Sequence, residues 1–151
     1  MKAFAAVLIV LSLMSSLVNA QDLTPKHDLL FEGNYLARIG NNSPEELERA
    51  LVRIEQYFLA DQPEGDYEPV VIVLHGPEVR LFMRDRYQKH KHIVDLAARL
   101  TAFNVVDIRV CETRMGVLGQ PVSSLVPFVS TVPFGLAEID RLVNDEQYLY
   151  F

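Results

Sequence analysis

Residues 109–116 read RVCETRMG and hold the chain's single cysteine, Cys111. A thiolate, not a thiol, is the nucleophile, and free cysteine has a pKa of about 8.5 that falls near cations or a helix N-terminus. Arg109 lies two residues back and Arg114 three residues on, so both are candidate thiolate stabilisers. Glu112 is adjacent and opposes them if it points the same way. His75 closes a separate apolar run, VVIVLH, directly before Gly76. If the runs 70–75 and 105–111 form neighbouring strands, His75 and Cys111 line one crevice as a base and a nucleophile. Two plainer readings stand beside this one: a buried small thiol, and a histidine that hydrogen-bonds a turn backbone.

The run that carries Cys111 alternates. Val106, Ile108 and Val110 share one face of a strand, while Asp107, Arg109 and Cys111 share the other. A purely structural cysteine is expected on the apolar parity, and Cys111 sits on the charged one. It also sits at the strand's carboxyl end, beyond which open parallel sheets bind their ligands.

Other chemistry is poorly represented. MRDRYQKHKH (83–92) gathers Arg84, Arg86, Lys89 and Lys91 with His90 and His92, a local positive patch suited either to an anion or to plain solvation. Its two histidines stand two apart, on different helix faces, which is poor geometry for a metal. His27 is isolated. One cysteine and no H-x-x-x-H argue against zinc. The chain has no G-x-G-x-x-G, no P-loop and no G-x-S-x-G elbow. The reading assigns no metal and no cofactor.

The first residues position the whole chain in the cell. Lys2 precedes an almost unbroken apolar stretch, Ala3 to Leu13, and Val18-Asn19-Ala20 fits signal-peptidase cleavage after Ala20. The stretch is short for a membrane anchor, which takes roughly 20 apolar residues. Residues 1–20 are therefore expected to be a cleaved secretory signal, leaving the mature chain outside the cytoplasm, in the periplasm of a Gram-negative cell. Removal of those 20 residues from 151 leaves 131, enough for one domain, and losing Lys2 takes the formal charge from −6 to −7. An acidic surface argues against nucleic acid and anionic lipid as partners. No later stretch is long and apolar enough to span a membrane, and a lone cysteine excludes an intrachain disulfide.

The elements that must hold these residues follow from periodicity. Residues 21–33 lack a period and read as an arm. NYLARI (34–39) reads as a strand. Ser43, Pro44 and Glu46 form a capping box ahead of a helix whose stripe is Leu47, Leu51, Ile54 and Phe58, widened by Ala50 and Tyr57. The continuous β-branched run 70–75 reads as a strand buried on both faces. A second helix is expected over 87–103, with Ile93, Leu96, Ala97, Leu100 and Phe103 inward. Residues 115–125 read as a loop or short helical excursion. VPFVSTV (126–132) is a strand interrupted by Pro127. A last helix follows, with Leu136, Ile139, Leu142 and Val143 on one face, and YLYF (148–151) ends as a strand. This order makes an α/β fold in three layers, with a mostly parallel central sheet and helices on both faces.

VVIVLHGPEVRLF, a helix, NVVDIRVCETRMGVLG and LVPFVSTVPFGLAEIDRL, in that order, resemble the DsrE/DsrF-like sulfur-relay family over roughly residues 34–151. The most specific parts are His75-Gly76, the strand end at Cys111 and Val132-Pro133-x-Gly135. The resemblance implies one α/β domain with a sheet of about five strands. It also implies homo- or hetero-oligomers, trimeric or hexameric, and a sulfur donor or acceptor protein as partner. In sulfur-trafficking members a cysteine in this region carries a persulfide and passes its sulfane sulfur on. Cys111 occupies the matching strand end, which makes this chain a carrier more than an independent enzyme. The alternative is a non-catalytic oligomeric scaffold of the same fold with Cys111 structural.

Overall fold

The computed structural model describes residues 33–40, 42–61 and 67–151. The expected signal peptide, His27 and all of the expected arm but Gly33 lie outside the described residues. Among the described residues five strands, β1 (Tyr35–Leu36), β2 (Val70–Leu74), β3 (Val106–Cys111), β4 (Ser130–Val132) and β5 (Leu149–Tyr150), form one sheet in the order β4-β3-β2-β1-β5. All four strand pairings are parallel. The fold is thus α/β as the sequence implies. Among the described residues no helix is long and apolar enough to cross a membrane.

Helices α1 (Pro44–Asp61) and α2 (Lys91–Ala102) cover one face of the sheet. The Ser43 Oγ accepts from Glu46 N–H at 3.2 Å, and Glu46 Oε1 accepts from Gly40 N–H at 2.9 Å, so the box caps α1 and also holds the incoming loop. Leu47, Ala50, Leu51 and Ile54 of α1, and Ile93, Val94, Ala97 and Leu100 of α2, bury against Ile72, Leu74, Ile108 and Val110. Each large aliphatic side chain sealed there contributes on the order of 1.5–3 kcal/mol. On the other face, α4 (Gly135–Asp140) and a π-helical turn, Arg141–Asp145, bring Ile139, Leu142 and Val143 onto Leu36, Val71 and Val73.

Four expectations change. The helix predicted from 87 begins at Lys91, because 84–90 bury no side chain and take a 3-10 path instead of the α period. Phe103 falls just past the end of α2 and is exposed. The strand predicted over 126–132 is confined to 130–132. Pro127 has no N–H to give a ladder, and the Val126 N–H goes to Phe82 O at 2.8 Å. Leu136 is exposed because the sheet-facing residue of the first turn of α4 is its neighbour Gly135. The chain turns into β5 through Gln147, an exposed residue at φ 57°, in the left-handed region where a side chain costs about 1–2 kcal/mol. Gln147→Gly is expected to stabilise the fold by about 0.5–1 kcal/mol, the relieved strain less the added freedom of the unfolded chain. An unchanged or lower urea midpoint would contradict that.

Candidate functional site

β2 and β3 are neighbours, and their register sets Val73 beside Arg109 and Leu74 beside Val110. One residue further, His75, just past β2, and Cys111, the last residue of β3, stand side by side on the face covered by α4. A Cβ built on Gly135, the first residue of α4, would stand 2.8 Å from His75 Cβ, 3.2 Å from Cys111 Cβ and 3.4 Å from Val73 Cγ1. Only a glycine lets the α4 backbone lie this close. The peptide leading into α4 is fixed too: Pro133 O accepts from Thr113 N–H at 3.2 Å and from Thr113 Oγ1 at 2.8 Å.

Under this roof Cys111 is only 3% exposed. The parity argument gave it the charged face of β3, and so it is, but that face is not a wet one. Arg109 is held by Asp107 at 2.7 Å and Glu138 at 2.5 Å, and Glu138 also takes Arg141 at 2.9 Å. Arg141 in turn pairs with Glu146. The charges of β3 are thus neutralised by those of α4 instead of by solvent, and the cysteine is covered with them. Burial alone pulls the Arg109 pKa down, but the bonds to Asp107 and Glu138 outweigh it and hold the guanidinium above its ordinary value. Bonds from Arg141, then from Arg109, hold the Glu138 carboxyl below its ordinary range.

Arg109 is therefore committed to two carboxylates. Arg114 meets the sulfur through its backbone: its N–H donates to Cys111 Sγ at 3.4 Å, making Cys111 the N-cap of α3 (Glu112–Val117). The Arg114 Nε is buried without a partner among the described residues. Glu112, the feared opponent, accepts from Thr131 Oγ1 at 2.6 Å across to β4.

His75 is half-buried, and the turn after it is held by a residue the sequence reading passed over. Glu78 is wholly buried, and its Oε1 accepts from His75 N–H at 2.9 Å and Gly76 N–H at 2.8 Å. Glu78 stands four residues past the end of β2 and reaches back to the amides three and two residues before it, as the acid of a capping box reaches back. The turn thus engages the backbone of His75, which also lines a cavity at the carboxyl ends of β1 and β2. That cavity is about 200 Å³ and is walled by Leu36, Arg38, Asn42, Val73, Ile139 and Tyr150 among others.

The 83–92 patch is partly spent on structure. Arg84 Nε donates to Leu125 O at 2.8 Å, Lys91 pairs with Asp95, and His92 Nε2 lies 3.5 Å from Glu48 Oε1. Burial, then the charge of Lys89, lowers the His90 pKa.

These features define a parallel-sheet α/β protein with a buried thiol and a histidine paired at the carboxyl ends of its central strands. No family model and no curated protein matches the chain. Among solved structures it is similar to MTH1491 from Methanobacterium thermoautotrophicum, a protein of unknown function. The two share 19% identity and a TM-score of 0.54, over 78% of this chain and 93% of that one. The likeness is one of fold.

Proposed function

We propose that this chain is an exported sulfur-relay-type protein of the DsrE/DsrF-like kind, working in the periplasm as an oligomer and carrying sulfane sulfur as a persulfide on Cys111. The observation that carries the reading is the side-by-side placement of Cys111 and His75 at two adjoining parallel strand ends, under Gly135. In it the Cys111 sulfur attacks the outer sulfur of a donor R–S–SH. A new S–S bond forms at Sγ, the donor's S–S bond breaks, and the thiol proton goes to the departing RS⁻. Cys111–SH and R–S–SH become Cys111–S–SH and R–SH, with no net oxidation. A partner thiol takes the sulfur by the same exchange in reverse.

The 3% exposure of Cys111 favours a second reading, a scaffold of the same fold in which the thiol is structural. Carrier chemistry requires the start of α4 to move off the sulfur. Incubation with polysulfide followed by mass spectrometry separates the two. The carrier reading expects the mass of added sulfur on a peptide containing Cys111, removable by reductant and absent in Cys111→Ser. An unmodified Cys111 peptide in protein that reacts with a small thiol reagent would leave the scaffold.

A further inference from the structure

We infer that the cavity beside His75 is a binding site for a short-chain carboxylate, bound through Arg38. The inference does not rest on the chemistry of Cys111, which is not among the residues that wall the cavity.

The size comes first. Drug-sized ligands occupy roughly 300–1,000 Å³, whereas this cavity is about 200 Å³, some six or seven water volumes of about 30 Å³. A compact molecule of a few carbons fits it. The walls come second. Leu36, Val73 and Ile139 are aliphatic and sit at the base, where the two central strands meet α4. An alkyl body buries there against them. The charge comes third. Arg38 lies two residues past β1, and its guanidinium carbon lies 5.8 Å above the Tyr150 ring at the cavity wall. That distance places the guanidinium over the ring of an edge strand. Among the described residues no carboxylate pairs with Arg38, in a chain with 20 acids against 14 lysines and arginines. The other arginines facing this half of the sheet, Arg109 and Arg141, are both fully matched. A planar fork with free donors is the group that takes a carboxylate with two parallel bonds.

The polar wall agrees with a fixed site. Asn42 adopts φ 49°, in the left-handed region that asparagine tolerates. Its side chain is locked against Gly76, where an added Cβ would stand 2.5 Å from Asn42 Cβ. The site also lies where parallel α/β sheets place ligands, beyond the carboxyl ends of the strands.

Isothermal calorimetry of the purified protein tests this with butyrate, its uncharged amide butyramide, and sodium sulfate. Butyrate is expected to bind saturably, with a dissociation constant in the range of about 0.1–5 mM, and butyramide and sulfate at least about tenfold more weakly. Arg38→Ala, a change at an exposed side chain, is expected to weaken butyrate at least about tenfold without altering the thermal midpoint. Arg38→Lys, which keeps the charge and loses the fork, should weaken it to an intermediate degree. Absence of saturable butyrate binding would overturn the site, and so would equal affinity in Arg38→Ala. Butyramide binding as tightly as butyrate would overturn the role of charge, and sulfate doing so would overturn the role of the alkyl wall. None of these outcomes touches persulfide formation at Cys111, which is read separately by mass.

Discussion

Gly135→Ala is expected to destabilise the protein by about 1–3 kcal/mol, lowering its thermal midpoint by several degrees. The added carbon would stand 2.8 Å from His75 Cβ and 3.2 Å from Cys111 Cβ. Those are the roots of side chains on two hydrogen-bonded strands, so they cannot swing aside as the tip of a lysine would. The helix must lift instead, and it is anchored by Thr113 to Pro133 O and by Glu138 to Arg109. Because lifting α4 uncovers the sulfur, the same variant should react faster with a thiol reagent than the parent does. Gly116→Ala is the matched control. Gly116 lies inside α3 with nothing within 4 Å of its added carbon, and alanine there should gain roughly 0.5–1 kcal/mol of helix stability. Equal thermal midpoints for the Gly135 variant and the parent would show that α4 does not press on the strand ends as described.

Glu78 supports the second large effect. Its Oε1 satisfies two backbone amides at the end of β2, one of them buried, while its Oε2 is buried with no partner among the described residues. Asn42 Oδ1 is likewise buried without a partner among the described residues, and both side chains press on the same point above Gly76. Glu78→Ala strips both amides of their acceptor and leaves a hole, at a cost of about 2–5 kcal/mol. Glu78→Gln behaves differently. Its amide oxygen keeps both backbone bonds, and its NH2 replaces an orphan acceptor with a donor beside an orphan acceptor. We expect it to match the parent in stability or exceed it. The pair of variants, compared by urea denaturation, decides the matter: a glutamine as damaging as alanine would mean that the charge, not the acceptor geometry, holds the turn.

Much of this arrangement was readable before any coordinates, because it is local. Ser43 and Glu46 cap α1 as their spacing says, and the unbroken VVIVL run is a strand covered on both faces. What escaped was long-range. That 70–74 and 106–111 pair is a fact about two segments separated by a helix, so the meeting of His75 with Cys111 could be stated only as a condition. The burial of Cys111 is long-range for a related reason. Alternation reports which residues share a face, not what covers that face. Here Arg109 finds Glu138, twenty-nine residues on, and the ion pair closes the face that its charge suggested was open. Gly135 shows the same limit, since a glycine reveals that something passes close but not what. Arg38 and Tyr150 come from opposite ends of the sheet's sequence, and no pattern of spacing joins them.

The strand order has a kinetic side. β1 lies between β2 and β5, and β5 is contributed by the far end of the described chain. β5 cannot occupy that edge of β1 until a very large loop has closed, whereas β2, β3 and α2 are near neighbours in sequence and can associate early. A late-docking final strand leaves β1 open for as long as the search lasts. During that interval the open edge is the surface most apt to pair with a stranger, and a helper that shields it would act there first.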